Sequence, residues 1–438
     1  MKKRIVVIVA ALAAAVFSAS CKKAEAVYLL NFKPEIANQW LEVAADFTKE
    51  TGVGVKVVTA ASGTYEQTLR SELSKSAPPT LFNINGGNGY QNYKDFTADL
   101  SGSEIYGLLA DKTMAISADG GVYGIPYAVE SYGIIYNAAI LNKYFALSGR
   151  KTAGTIDSAD KIINFAALKA VAEDIQARAA DLGIKGAFAS TSFSPGEDWR
   201  WQTHLANLPV FYEYRAKHIN DADTLDLIYS KNYRAIFDLY LNNSVTPRNL
   251  VGGKTVGDSM SEFALGQAAF VQNGTWAWNQ ISQEAGNVVK AEDIKFLPIY
   301  TGIDGEELQG LCTGTENFIC VNKKVSAEKQ EASLRFLSWL FNTPAGKKAA
   351  FEKLGFVTPF SSFTAAERPD DPLVKEMFAY LSRANMYAVG WVFTTFPSQQ
   401  FKNDLGAALQ AYAVGTKEWD TVERAFVDGW AKEKAASR

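Results

Sequence analysis

Histidine is nearly absent from this 438-residue chain. His204 and His218 are the only two, and neither sits in a zinc-binding spacing such as H-E-x-x-H. No G-x-S-x-G elbow occurs, and Gly253-Lys254-Thr255 fails as a phosphate loop because Arg248 stands where the first glycine is required. Both histidines therefore read as ordinary polar residues, and neither a metal nor a cofactor is expected. Charge is close to balanced. With residues 1–20 set aside, 41 basic residues face 47 acidic ones, so no basic excess points to nucleic acid. Repeats, low-complexity tracts and long β-rich stretches are missing too, which removes adhesin-like and structural classes.

Only one hydrophobic run is long, and it comes first. Lys2, Lys3 and Arg4 precede an apolar stretch over 5–19, which Ser18-Ala19-Ser20-Cys21 closes with small residues and a cysteine. A span of about 15 residues falls short of the roughly 20 needed to cross a bilayer, so residues 1–20 read as an export signal. Cys21 after small residues resembles the lipobox of bacterial lipoproteins, with Phe17 where that pattern has Leu. The resemblance implies acylation of Cys21 and a tether over 21–26; an ordinary cleaved signal is the alternative. Setting Cys21 aside leaves Cys312 and Cys320, and in an exported chain an even pair reads first as a disulfide. They flank Thr313-Gly314-Thr315-Glu316-Asn317, which has turn chemistry. A bridge across a hairpin is one reading, and two reduced, buried thiols are the other.

The remaining chain is too long for one core and predicts two or three domains. Residues 27–32 form a short apolar run. Ile36, Trp40, Val43, Ala44 and Phe47 then recur at three- and four-residue steps, predicting a helix that Gly52 stops. Strand-like 53–59, helical 65–74 and strand-like 80–84 follow, the last ending in Asn85-Gly86-Gly87-Asn88-Gly89. This alternation predicts an α/β fold, a parallel sheet with helices on both faces and ligands beyond the carboxyl ends of its strands. Further on, Asn164 caps a helix that runs to Gly183, and residues 192–201 read as an irregular aromatic loop. More helices are predicted over 232–242, 258–266, 326–342 and 343–354, and strands over 294–297 and 318–321.

Aromatic residues are plentiful, nine tryptophans among them. Tyr127-Ala128-Val129-Glu130-Ser131 through Ile134-Ile135-Tyr136-Asn137, and Gly274-Thr275-Trp276-Ala277-Trp278-Asn279, resemble the crossover and ligand-wall segments of the extracellular solute-binding proteins of carbohydrate ABC transporters, family 1, the maltose-binding-protein-like group. Met386-Tyr387-Ala388-Val389-Gly390-Trp391 resembles that group's late aromatic segment more loosely. Asn342-Thr343-Pro344-Ala345-Gly346-Lys347 and Gly355-Phe356-Val357-Thr358-Pro359 match its wider pattern. The resemblance implies the two-lobe periplasmic-binding-protein type II fold, with lobes discontinuous in sequence. It places the N-terminal lobe at 27–137 plus 288–340 and the C-terminal lobe at 138–287 plus 341–438, with crossings near 137–141, 284–290 and 338–345. It also implies a receptor and not an enzyme. Such a receptor would be monomeric and lipid-anchored on the periplasmic or outer surface of the cell membrane. It would bind a carbohydrate between its lobes and pass it to ABC permease subunits.

Sugar recognition asks for flat aromatic platforms against C–H faces and planar polar groups that bridge hydroxyls. Trp276, Trp391 and Trp199 are the candidate platforms, with Trp201 behind them. Trp40, Trp339, Trp419 and Trp430 fall in helical patterns and read as packing. Glu130, Asn85, Glu35 and Gly314, with Glu316 beside it, are the candidate polar and close-approach positions. A secreted glycoside hydrolase, or another carbohydrate-active lipoprotein, is the alternative, since aromatics and a carboxyl pair would serve it too.

Overall fold

The computed structural model describes residues 25–436; the stretch read as an export signal and Cys21 lie outside the described residues. In chain order the strands are β1 (Glu25–Asn31), β2 (Gly54–Thr59), β3 (Leu81–Asn85), β4 (Ile116–Ala118), β5 (Gly121–Pro126) and β6 (Glu130–Asn137). Then come β7 (Gly186–Phe188), β8 (Ala268–Gly274), β9 (Ile294–Leu297), β10 (Gln309–Gly314), β11 (Asn317–Val321) and β12 (Tyr387–Gly390). They form two sheets, in the orders β2-β1-β3-β11-β5-β4 and β12-β10-β6-β8-β7, with β9 paired to β6 beside β10.

Alternate residues of the central strands enter opposite cores. Val27 and Leu29 of β1 pack with Trp40 and Phe47 of the helix Ala37–Thr51, while Leu30 packs with Leu69 and Leu73 of Tyr65–Leu73 on the other face. In the second sheet Ile134 and Phe270 face one core, and Ile135 and Val271 face the other. Sheets covered on both faces are what the continuous apolar strands require. Gly52 ends the first helix in the left-handed conformation, φ +80°, its N–H donating to Thr48 O. The expected two-lobe α/β architecture is therefore present. Among the described residues no helix is long and apolar enough to cross a membrane.

The sheets divide the chain elsewhere than at the expected boundaries. β6 and β9 both belong to the second sheet, so 130–137 and 294–297 leave the N-terminal lobe. The first crossing is Tyr127–Ala128–Val129, between β5 and β6. The second is Thr315–Glu316, between β10 and β11. The third runs from the turn Ala349–Lys353, packed on the first lobe, to the helix Pro372–Leu381, packed on β9 and β10. Val129 N donates to Val357 O at 2.7 Å, so the first and third crossings lie side by side.

The second crossing also corrects the cysteine pairing. Cys312 lies in β10 opposite Tyr132 and Val389, whereas Cys320 lies in β11 opposite Phe82. Both are buried and reduced. The segment between them passes from one sheet to the other and does not fold back, so the two thiols belong to different cores.

Two further elements differ from expectation. Gly86–Tyr93, directly after β3, is a helix where no helix was expected, and the aromatic loop gives way at Arg200–Leu205 to a wide helical turn leading into Asn207–Lys217. The wide turn buries the Arg200 guanidinium, which donates to Gln272 O, Ser192 Oγ and Ser259 Oγ at 2.8–3.0 Å. Trp201 goes into the core with it, its indole N–H held by Ser192 O at 3.1 Å.

Candidate ligand-binding cleft

The segment after β1 is fixed by Asn31, whose amide donates to Lys33 O at 2.7 Å and whose Oδ1 accepts from Lys33 N at 3.0 Å. That turn sends the Lys33 side chain toward the second lobe. Its ammonium donates to both oxygens of Glu130, at 2.8 and 3.0 Å, and stands 3.6 Å from Glu35 Oε1 and 5.8 Å from the Trp276 ring centre. Burial disfavours the Lys33 charge, but the carboxylates of Glu130 and Glu35 outweigh it and hold its pKa above the ordinary value. Burial raises the Glu35 carboxyl in turn, against the pull of Lys33.

Carboxyl ends of the second-sheet strands supply the aromatic side. Trp276 follows β8, Trp391 follows β12, and Trp199 closes the loop after β7. Trp276 lies 6.2 Å from Trp199 and 6.5 Å from Trp391, the latter nearly perpendicular at 85°. Trp276 and Trp199 are half-buried, whereas Trp391 is 7% exposed, its indole nitrogen buried without a hydrogen-bond partner. Gly314 is the seat of Trp391 and not an open approach to a ligand: a Cβ there would stand 2.6 Å from Trp391 Cγ. Gly274 bears the same relation to Trp276.

His204 is the residue that sequence reasoning passed over. It stacks on Tyr132 at 4.3 Å and 6°, and lies 5.1 to 6.0 Å from Trp199, Phe393, Trp276 and Trp391. Burial pushes its pKa well below the ordinary value, so it serves as a neutral ring among rings. A lone histidine carries no spacing signal. The same holds for Lys33, which no periodicity or motif marks. Asn85, at the end of β3, donates to Glu316 Oε2 at 3.2 Å, fixing the second crossing to the first lobe. The structure thus gathers Glu35, Asn85, Glu130, Trp199, Trp276, Trp391 and Glu316 along one seam between the lobes.

The seam is shut. Ser62 Oγ donates to Gly196 O across it at 3.3 Å, and Asn88 Nδ2 donates to Thr395 O and Phe396 O at 3.2 and 2.8 Å. A cavity of about 30 Å³ remains beside Lys33, Glu130, Thr275, Trp276 and Phe356. Ligand pockets measure ~300 Å³ or more, so a ligand enters this cavity only if the lobes part.

The family model for bacterial extracellular solute-binding proteins matches residues 42–376, more than half of the chain. No curated protein sequence matches. Among solved structures, the fold is similar to a chitin oligosaccharide binding protein, with TM-score 0.71, 19% identity and coverage of 93% of this chain and 98% of the other. It is also similar to the solute-binding protein RafE in complex with raffinose, with TM-score 0.69, 16% identity and coverage of 93% and 99%. A third likeness is to the GacH receptor of Streptomyces glaucescens, studied unliganded and with acarbose, at TM-score 0.68, 16% identity and coverage of 93% and 98%.

Proposed function

The chain belongs to the bacterial extracellular solute-binding protein family, and from that premise we propose that it is a receptor that binds a neutral sugar or oligosaccharide between its lobes and delivers it to an ABC importer. The observation that carries this reading is the meeting of Trp199, Trp276 and Trp391 on the seam, beside the carboxylates of Glu35 and Glu130. Indole faces suit the C–H faces of pyranose rings, and carboxylates accept from hydroxyls. Sugar-named relatives of the same fold support the choice of ligand.

The moving units are taken to be 25–126 with 317–353, and 130–314 with 372–436, turning about the three crossings. Opening separates Ser62 from Gly196 and Asn88 from Thr395. Sugar faces then replace the contacts the indoles make with one another, and closure over the ligand presents a rigid face to the permease subunits. Attachment is through lipid on Cys21, at the outer face of the membrane, with residues 21–26 as tether and the protein monomeric. In this role Lys33 neutralises the carboxylates that a hydrolase would need free on either side of a scissile bond.

Thermal shift of the purified protein against neutral mono- and oligosaccharides tests the reading, because a ligand that binds only the folded state raises its stability by mass action. A rise in melting temperature without release of reducing ends supports a receptor; new reducing ends support the hydrolase. In cells, Cys21→Ala should move the protein from the membrane to the soluble fraction, and retention there would remove the lipid anchor from the account.

A further inference from the structure

Asn88 is a first-lobe side chain whose hydrogen bonds both end in the second lobe. It stands in the opening turn of the helix Gly86–Tyr93, and its amide donates to Phe396 O at 2.8 Å and to Thr395 O at 3.2 Å. These carbonyls close the short helical turn Val392–Thr395, where the last C=O groups of any helix lack partners of their own. Asn88 thus caps that turn from across the seam. The acceptors are fixed in advance, because buried Asn207 donates to Gly390 O and accepts from Phe393 N, both at 3.0 Å, tying the turn to the helix Asn207–Lys217.

Bare backbone lets the lobes come this close. Gly86, between β3 and the helix, takes φ +59°, and a Cβ there would stand 2.9 Å from both Thr394 Cβ and Thr394 O. The same device recurs where Gly63 lies against Gly196 and Ser62 donates to Gly196 O. Each of these contacts joins protein to protein, so the closed arrangement needs no ligand to hold it. With the rim so joined, the cavity beside Trp276 measures about 30 Å³, against ~300 Å³ or more for a ligand pocket.

We propose that Asn88, with Gly63, Gly86 and Gly196, forms an autoinhibitory latch that keeps the lobes shut in the ligand-free protein and has to break before a ligand enters. Closure then precedes binding instead of following it. The latch takes from the reading above only that the lobes move, and it stands whether or not the ligand is a sugar.

The test is the distance between spin labels on Gln67→Cys and Asn403→Cys, exposed positions on the helices Tyr65–Leu73 and Gln399–Ala413, which follow Gly63 and Phe396. Pulsed electron resonance reads it in the ligand-free chain from residue 21 onward, carrying Cys21→Ala; Cys312 and Cys320 are buried and stay unlabelled. Asn88→Ala removes the donor, and Asn88→Asp sets a carboxylate against the same two carbonyls. Asn92→Ala, at an exposed position of the same helix, is the control. Without these changes the labels should show the short distance of the shut seam, with at most a trace of a longer one. Asn88→Ala should raise the longer population about tenfold, as expected for a lost hydrogen bond shared by two acceptors, and Asn88→Asp should raise it further. A long distance that dominates with Asn88 intact, or an unchanged distribution in Asn88→Asp, overturns the latch. An equal shift in Asn92→Ala overturns it as well, since the effect then belongs to the helix and not to the contact.

Discussion

Lys33 Nζ stands 2.8 Å from Glu130 Oε1, joining the loop after the first strand of one lobe to the first residue of β6 in the other. Both side chains are largely buried, 7% and 14% exposed. A buried pair stripped of one partner costs more than the pair was worth, because the survivor keeps its desolvation penalty. Lys33→Met is therefore expected to destabilise the protein by about 3 kcal/mol, and Glu130→Gln by less, since the amide still accepts from Lys33. Urea denaturation of both variants measures this. Equal stability to wild type would show that the lysine is solvated when the lobes move.

Closure of the seam depends on glycine at its rim. A Cβ on Gly63 would lie 2.5 Å from Gly196 Cα, in the opposite lobe, whereas one on Gly120 would meet nothing within 4 Å. Both glycines have positive φ, +70° and +81°, so alanine at either carries the same left-handed penalty of about 1 to 2 kcal/mol. Only Gly63→Ala should enlarge the ligand-free radius of gyration in small-angle scattering. A change of the same size in Gly120→Ala would assign the effect to strain and not to the lobe contact.

Asp371 caps the helix Pro372–Leu381, accepting from Leu373 N and Val374 N, and borders the cavity at the third crossing. Burial pushes its carboxyl from the ordinary 3.8 up to about 6. A raised pKa means the folded state holds the proton more tightly, so this contribution to stability is complete below pH 3.8 and lost as pH rises through 6. Asparagine keeps the cap without the charge. Asp371→Asn should therefore be more stable than wild type by about 1 to 2 kcal/mol at pH 7.5, with the gap closing toward pH 4. Denaturation across that range decides it, and a pH-independent difference would contradict the assignment.

Cys312 and Cys320 should remain two thiols under oxidising conditions, each reacting only after unfolding, because both are buried in different cores. Mass spectrometry of the alkylated, non-reduced peptide tests this. A mass two hydrogens lower, with no label, would restore the bridge.

That cysteine pair marks where sequence reading stops. Periodicity exposed the helix built on Trp40, Val43 and Phe47 and the strands around it, because one buried face repeats every three or four residues. The residues Thr313 to Asn317 look the same whether a chain reverses as a hairpin or steps from one sheet to another, and only the partners Tyr132 and Phe82 distinguish the two. The lobe boundaries slipped for the same reason: Glu130 to Asn137 reads as a strand, but nothing within it says which sheet it joins. In the cleft, Trp276 and Glu130 were legible through a run of neighbouring residues. Lys33 and His204 were not, since each is a single residue brought to the seam by elements far apart in the chain. Gly314 was legible as a special position, though its role is to seat Trp391.

The measurement that bears most directly on the account is equilibrium titration with an accepted oligosaccharide of the wild type, Trp276→Ala and Trp391→Ala, alongside the ligand-free melting temperature of each. Loss of a large flat contact should cost about 2 kcal/mol or more in binding for either tryptophan. Half-buried Trp276 should fold as before when replaced, while Trp391, packed on Tyr132, His204 and Phe393, should also melt earlier. Saturable binding by the wild type that Trp276→Ala weakens at unchanged melting temperature is the result predicted. Undiminished affinity in folded Trp276→Ala and Trp391→Ala would contradict a sugar site on this seam.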